Sequence, residues 1–340
     1  MLNGILYILN MLLLFALFLS YASPYISPDT FLWPVALLGL IYPFILLINV
    51  LFTIYWFIRF KKHFWANIII ILLGYGHIQN LIKIQENAIN TEAKFSVMSF
   101  TLRFFNAYNW IKKDDVKQKI IQYLNKESVN VLCLQEFYAP EELPRLNYPY
   151  SHIGLQSKRK SWRMATYSNF PIFNKGTVSI YGERTNNVCI YTDIAMYGDS
   201  IRIYNVHLAS NWFEKEDYEF LDNPSVEGAE SIIERLKASF FKRAKQVKAI
   251  KAHMNTSPYP IILCGDFNDT PTSFAYKQLS EGLNDSFTMA GKGLGQTYNG
   301  KLPTLRIDYI LHSPKFKINS FKTKEVNLSD HFPIVSTFHY

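Results

Sequence analysis

Cysteine is scarce: Cys133, Cys189 and Cys264 are the only three in 340 residues. An odd count without close spacing supplies no disulfide framework, and no His/Cys set has zinc-ligand spacing. Each thiol sits in an apolar run (VLCLQ, NVCIY, IILCGD), where it serves as a small hydrophobe. Charge is nearly missing from the front of the chain. Residues 1–92 hold four basic residues (Arg59, Lys61, Lys62, Lys83) and three acidic ones (Asp29, Glu86, Glu92). No positive residue precedes the first apolar run, so a retained span is expected there rather than a cleaved signal. There is no internal repeat and no low-complexity tract.

What fills the front is apolar sequence. Residues 4–22 carry no charge, and as a helix they would reach roughly 28 Å, close to the hydrocarbon thickness of a bilayer. Residues 31–58 form a second uncharged run, with Pro34 near its start and Pro43 inside, so a tilted or kinked span is expected. Trp33 and Trp56 lie near its ends, as interfacial aromatics do. A third, shorter run covers 64–78. About three transmembrane helices within residues 1–80 are expected, then a polar linker over 81–93. Between the second and third runs stands the basic cluster Arg59-Phe60-Lys61-Lys62-His63. Positive loops prefer the cytoplasm. The chain is therefore expected to be integral to the cytoplasmic (inner) membrane, with everything after the third span outside the cytoplasm.

From residue 94 to 340 the pattern changes to short strands, turns and a few helices. This part carries 31 of the 35 basic and 24 of the 27 acidic residues, a surface suited to phosphate-bearing partners. Asp114 is expected to cap a helix with Val116, Ile120 and Leu124 on one face. A long helix is expected over about 230–253. Strands are expected at 95–100, 129–134, 164–168, 187–195, 200–208, 261–265, 306–311 and 334–338. Many strands with few helices predict a layered α/β sandwich.

The stretch Ile261–Pro271 organises the rest. Four apolar residues form a strand, Gly265 lets the backbone turn, and Asp266 and Asn268 follow two apart, facing one side. Other strands end in similar signatures: Glu136 after VLCLQ, Asn205 and His207 in IYNVHLAS, Arg306 and Asp308 in LRIDYIL, Asp330 and His331 in LSDHFPI. Carboxylates, imidazoles and an amide gathered at one sheet edge suit a hard cation and a phosphate, because Mg²⁺ takes oxygen ligands and needs only one or two carboxylates.

LCLQE, YNVHL, CGDFND, RIDYIL and SDHFPI, in that order, resemble the endonuclease/exonuclease/phosphatase superfamily. The resemblance runs from about residue 95 to the C-terminus. It implies a four-layered α/β sandwich, two packed mixed sheets flanked by helices, hydrolysing phosphoesters with Mg²⁺ or Mn²⁺. Glu136 resembles the main metal-binding carboxylate, and Asp330 a carboxylate near the metal. Asp266 resembles the residue that orients or deprotonates the attacking water, with Asn268 as its partner. His207 and His331 resemble the phosphate-contacting histidines, and Asp308 the acid that orients His331. Asn205 and Arg306 are candidates for substrate contact. The family's first strand usually ends in Asn; here Thr101 occupies that place.

The implied activity is that of a membrane-anchored phosphodiesterase or endonuclease. A lipid phosphodiesterase resembling neutral sphingomyelinase, or a weakened phosphate-binding relative, is the alternative. The substrate would be nucleic acid or phospholipid, the membrane partner is reached through the N-terminal helices, and the sequence implies no protein partner. The basic run Lys158-Arg159-Lys160 with Trp162 and Arg163 could steer a phosphorylated substrate, and residues 211–228 could form the rim of the site.

Overall fold

The computed structural model describes residues 2–84, 95–138, 144–155, 162–180, 188–211, 225–300 and 305–339. Most of the expected 81–93 linker, the 158–160 basic run and most of the 211–228 rim lie outside these described residues. The chain divides into two compact units, neither continuous in sequence. One gathers Met1–Ile82, Ser210–Ala244 and Asp269–Gln278; the other gathers Lys83–Ala209, Lys245–Asn268 and Leu279–Tyr340.

The first unit begins with α1 (Leu2–Ser20), which is long and apolar enough to cross a membrane. Two bent pairs follow. α2 (Pro34–Leu40) meets α3 (Tyr42–Ile58) at 67°, and α4 (His63–Leu73) meets α5 (Tyr75–Leu81) at 65°. Counting each bent pair as one span gives up to three spans. The first bend falls where Pro43 stands at the start of α3, the expected kink, because proline cannot donate to the preceding turn. Three buried asparagines tie α1, α3 and α4 together. Asn10 Nδ2 donates to Asn67 Oδ1 (2.9 Å) and Asn49 Oδ1 (3.4 Å), and Asn10 Oδ1 accepts from Trp56 Nε1 (2.9 Å). Side-chain amides bonded across helices are a recognised glue where apolar contact alone gives no preference over lipid.

The same unit takes in the first part of α7 (Val226–Met254) and most of α8 (Phe274–Ser280). In it the hydroxyls of Thr270 (3.4 Å) and Thr272 (2.7 Å) both donate to the carbonyl of Gly39, at the end of α2. A Cβ on Gly39 would sit 2.1 Å from Ser23 Oγ and 2.7 Å from the Thr272 carbonyl, so only glycine fits.

The second unit holds two mixed six-stranded sheets flanked by helices. Its strands are β1 (Phe95–Thr101), β2 (Val131–Tyr138), β3 (Tyr150–Leu155), β4 (Trp162–Ser168), β5 (Ile172–Thr177), β6 (Cys189–Met196), β7 (Asp199–His207), β8 (Ile261–Asp266), β9 (Asn284–Asp285), β10 (Asp308–His312), β11 (Lys317–Thr323) and β12 (Ile334–His339). One sheet runs β11-β12-β1-β2-β4-β3 and the other β5-β6-β7-β8-β10-β9. Each has one parallel pair at its centre, β1 with β2 and β7 with β8. Val97, Cys133, Ile203, Cys264, Ile310 and Ile334 belong to the core between them. Burying each such aliphatic side chain contributes about 1.5–3 kcal/mol.

On the outer side of the first sheet lies α6 (Val116–Glu127), with Val116, Ile120 and Leu124 buried against Met98, Phe100 and Leu132. Its cap is Asp115, in the left-handed region and without a side-chain cap bond, rather than the expected Asp114. The short α9 (Ser286–Ala290) is capped by Asp285, which accepts from the Phe287 amide. His152 of β3 is buried, with Nδ1 2.9 Å from Thr192 Oγ1 of β6 in the facing sheet. The central strands begin within two residues of the expected positions, and all but β2, which continues to Tyr138 instead of ending at 134, also end within two. β3, β5, β9 and β11 were not expected, and they are the four sheet edges. Edge strands are kept polar to resist pairing with other chains, which removes the apolar signal that reveals central strands. β5, for instance, carries the exposed Asn174 and Lys175.

Candidate active site

The site is assembled from strand ends. β2 carries a bulge between Leu134 and Phe137, and Glu136 in it has φ +48°. A bulge re-aims side chains. Gln135 is fully buried, its Nε2 donating to Asn205 Oδ1 (2.7 Å), whereas Glu136 reaches to 3.6 Å from His207 Nε2 at the end of β7. At the end of β8, Gly265 has φ +143°, and a Cβ there would lie 1.9 Å from the Val206 carbonyl. Only glycine lets β8 come this close to β7. The turn that follows is locked by Asp266. Its Oδ1 accepts from the Asn268 amide (2.7 Å) and its Oδ2 from Asn268 Nδ2 (3.1 Å), while Asn268 Nδ2 also donates to the Leu208 carbonyl (3.0 Å).

Asp308 opens β10 directly opposite Asp266 in the antiparallel pair. Its Oδ2 is 2.9 Å from His331 Nδ1, and the other ring nitrogen of His331 lies 3.8 Å from Asp266 Oδ2. His207 Nε2 is also 3.8 Å from Asp266 Oδ2. Asp330 pairs with Arg103 Nη1 at 2.8 Å. Thr101 Oγ1 donates to Gln135 Oε1 (3.2 Å) and Asp308 Oδ1 (3.4 Å). The structure thus brings Glu136, His207, Asp266, Asn268, Asp308 and His331 together, and joins Thr101 to them through Asp308. Asn205 and Arg306 are engaged elsewhere. Asn205 Nδ2 donates to the carbonyls of Leu134 and Ala165, bracing one sheet against the other, and Arg306 Nη1 donates to Asp285 Oδ2 at 2.7 Å.

Burial among neighbouring charges perturbs Glu136, Asp266, His207 and His331. Burial and then the Asp330 charge push Glu136 up to about 7, against the pull of His331 and Arg103. Burial raises Asp266 well above the carboxylate range; Asp308 and Glu136 add to this and His331 opposes it. Burial and the His331 charge lower His207 to about 4, so its imidazole is neutral at pH 7. For His331 burial lowers the value, but Asp308 and Asp266 win and hold it well above 6.5. One imidazole is therefore charged and the other neutral, each set by its neighbours. Ligand atoms of Asp266, Asp308 and His331 lie within 4.8 Å of one another, a group that could hold a metal ion. The two carboxylates in this set suit a hard divalent cation, which takes oxygen ligands and needs only one or two of them.

A family model described as endonuclease/exonuclease/phosphatase matches residues 105–331. The chain belongs to the endonuclease/exonuclease/phosphatase family. Members of this family hydrolyse phosphoesters, typically with a divalent metal. A second model, described as a domain of unknown function, matches residues 3–81. Solved structures with the family's fold resemble the chain at low identity. The mannosyl-6-phosphatase of Bacteroides thetaiotaomicron VPI-5482 has a TM-score of 0.52 at 20% identity, covering 73% of this chain and 100% of its own. The 3'-5' exonuclease of Neisseria meningitidis has 0.51 at 17%, covering 72% and 100%. A functionally unknown conserved protein from Enterococcus faecalis V583 has 0.54 at 14%, covering 72% and 99%. No curated protein matches the chain. Within the family frame, Arg103 and Gln135 are the site-supporting residues that sequence reasoning passed over. Their signal was adjacency, Arg103 two places after Thr101 and Gln135 one before Glu136.

Proposed function

We propose that the chain is a membrane-anchored, divalent-metal-dependent phosphoester hydrolase of the phosphodiesterase or endonuclease type. The Asp308–His331 pair facing Asp266 carries this reading. Asp266, fixed by two bonds from Asn268, orients a water and accepts its proton at Oδ2. His331, charged and aligned by Asp308, faces the phosphoryl oxygens and offsets their growing charge. The neutral His207 donates a ring N–H on the other side. Glu136 and Asp330, next to the Asp266–Asp308–His331 group rather than within it, would hold Mg²⁺ or Mn²⁺, which when bound supplies Lewis-acid stabilisation of the phosphoryl oxygens. Residues 1–80 anchor residues 94–340, and the basic cluster Arg59–Lys62 favours an extracytoplasmic catalytic part.

The test uses the full chain in detergent, with bis(p-nitrophenyl) phosphate as substrate. Turnover should require Mg²⁺ or Mn²⁺ and fall at least about 100-fold in Asp266→Asn and in His331→Gln, the range for loss of a catalytic base or a preorganised donor. Turnover that survives chelation, or that neither substitution affects, would refute the assignment.

A further inference from the structure

Beyond β1 the chain enters a turn with an unusual backbone. Arg103, Phe104, Phe105, Asn106 and Asn109 have φ of +46°, +57°, +53°, +60° and +53°, and none is glycine. Left-handed conformations are costly for such residues and persist where the surroundings over-determine them, which makes a cluster of them a pointer to function. The bracing is visible. Asn106 Nδ2 donates to the Ile111 carbonyl and its Oδ1 accepts from the Ile111 amide, both at 2.9 Å. The Leu102 amide donates to the Gln135 carbonyl at 3.0 Å, and buried Phe105 packs edge-on against Phe137.

The braced turn presents rings to solvent. Phe104, Tyr108 and Trp110 lie with centroids 5.0–6.2 Å apart, and Tyr108 and Trp110 are 53% and 43% exposed. Arg103 links this ridge to the site: its guanidinium carbon is 4.2 Å from the Trp110 centroid, and its Nη1 is the partner of Asp330. Exposed Lys112 and Lys113 follow at once, ahead of Asp114 and Asp115.

We propose that Tyr108 and Trp110 are specificity-determining residues that stack on a nucleobase next to the scissile phosphate, so that the substrate is a nucleic-acid strand. This rests on the hydrolase reading above. Rigid rings interleaved with cations are the chemistry of strand binding, aromatic faces for bases and cations for phosphates. A lipid surface fits less well. Inserting this ridge into acyl chains would carry Arg103, Lys112, Lys113 and two aspartates into a medium where charge is expensive.

The test compares two short single-stranded oligodeoxynucleotides, one with bases throughout and one with ring-free abasic residues flanking the scissile phosphate, cleaved by the full chain with Mg²⁺. Trp110→Ala and Tyr108→Ala should raise KM for the base-bearing strand roughly 10- to 100-fold, the range for losing one stacked base. The ring-free strand should change less than about threefold, and Trp110→Phe should restore most of the loss. Anisotropy of a fluorescein-labelled strand in chelator should show the same weakening without turnover. Equal losses on both strands, or none, would overturn the proposal, as would losses confined to phosphatidylcholine–sphingomyelin vesicles. Asp266-dependent hydrolysis of bis(p-nitrophenyl) phosphate with no cleavage or binding of either strand would overturn the nucleic-acid assignment and leave the hydrolase standing.

Discussion

Asp308→Asn isolates the charge that holds His331. The substitution keeps shape: Asp308 is buried, its amide donates to Thr297 Oγ1 (3.0 Å), and an Asn can still face Thr101 and His331. What disappears is the negative charge. A hydrogen bond to a charged group contributes about 1.5–3 kcal/mol against about 0.5–1.5 for a neutral one, so a loss of about 1–2 kcal/mol is expected. The loss has a pH signature. The folded value of His331 lies above its unfolded value, so its contribution is fully present below about pH 6.5 and lost as pH rises through the folded value. The variant should therefore be destabilised most at pH 6 and little on the alkaline side, where the wild-type imidazole is also neutral. Thermal unfolding of the full chain in detergent and chelator, followed by near-ultraviolet circular dichroism, reads this without reference to any substrate. An equal destabilisation at both ends of the range, or a larger one in alkali, would show that the Asp308 charge is not what holds His331.

Two further outcomes are expected. His152 is lowered to about 4, chiefly by burial, so stability is complete above about pH 6.5 and falls as pH drops toward 4; about 2 kcal/mol should go between pH 7 and pH 5, and His152→Gln should flatten that slope in the same melts. Gly265→Ala should cost about 3 kcal/mol or more because its Cβ meets the Val206 backbone, whereas Gly198→Ala, at φ +84° with nothing within 4 Å, should cost only about 1–2 kcal/mol; similar melting temperatures for the two variants would contradict the close-approach reading.

The polar site residues were legible because they break apolar runs: His207, Asp266 and Asp308 at strand ends, Glu136 in the β2 bulge and His331 just before β12. The central strands were legible for the converse reason. Edge strands were not, since β5 and β11 mix polar and apolar residues on both faces. Asn205 and Arg306 show another limit. Each lies two residues from a site residue, on the same side by the alternation of the expected strand, yet Asn205 sits deeper in β7 and bonds backbone carbonyls between the sheets, and Arg306 bonds Asp285. The left-handed turn after Thr101 left little sequence trace: Asn106 and Asn109 are of a type that tolerates positive φ, but Arg103, Phe104 and Phe105 are not.

The Gly39 carbonyl and its two threonine donors are separated by 231 and 233 residues of chain. At a synthesis rate of about 5–20 residues per second, roughly 10–50 s pass between the emergence of Gly39 and that of Thr270 and Thr272. During that interval the apolar helices exist without the segments that complete their unit. Their three asparagines, by contrast, are all made within the first 67 residues and can find one another early. The helices can thus associate from the start of translation, while the carbonyl of Gly39 waits for partners that arrive only after the strand bearing Asp266 has been made.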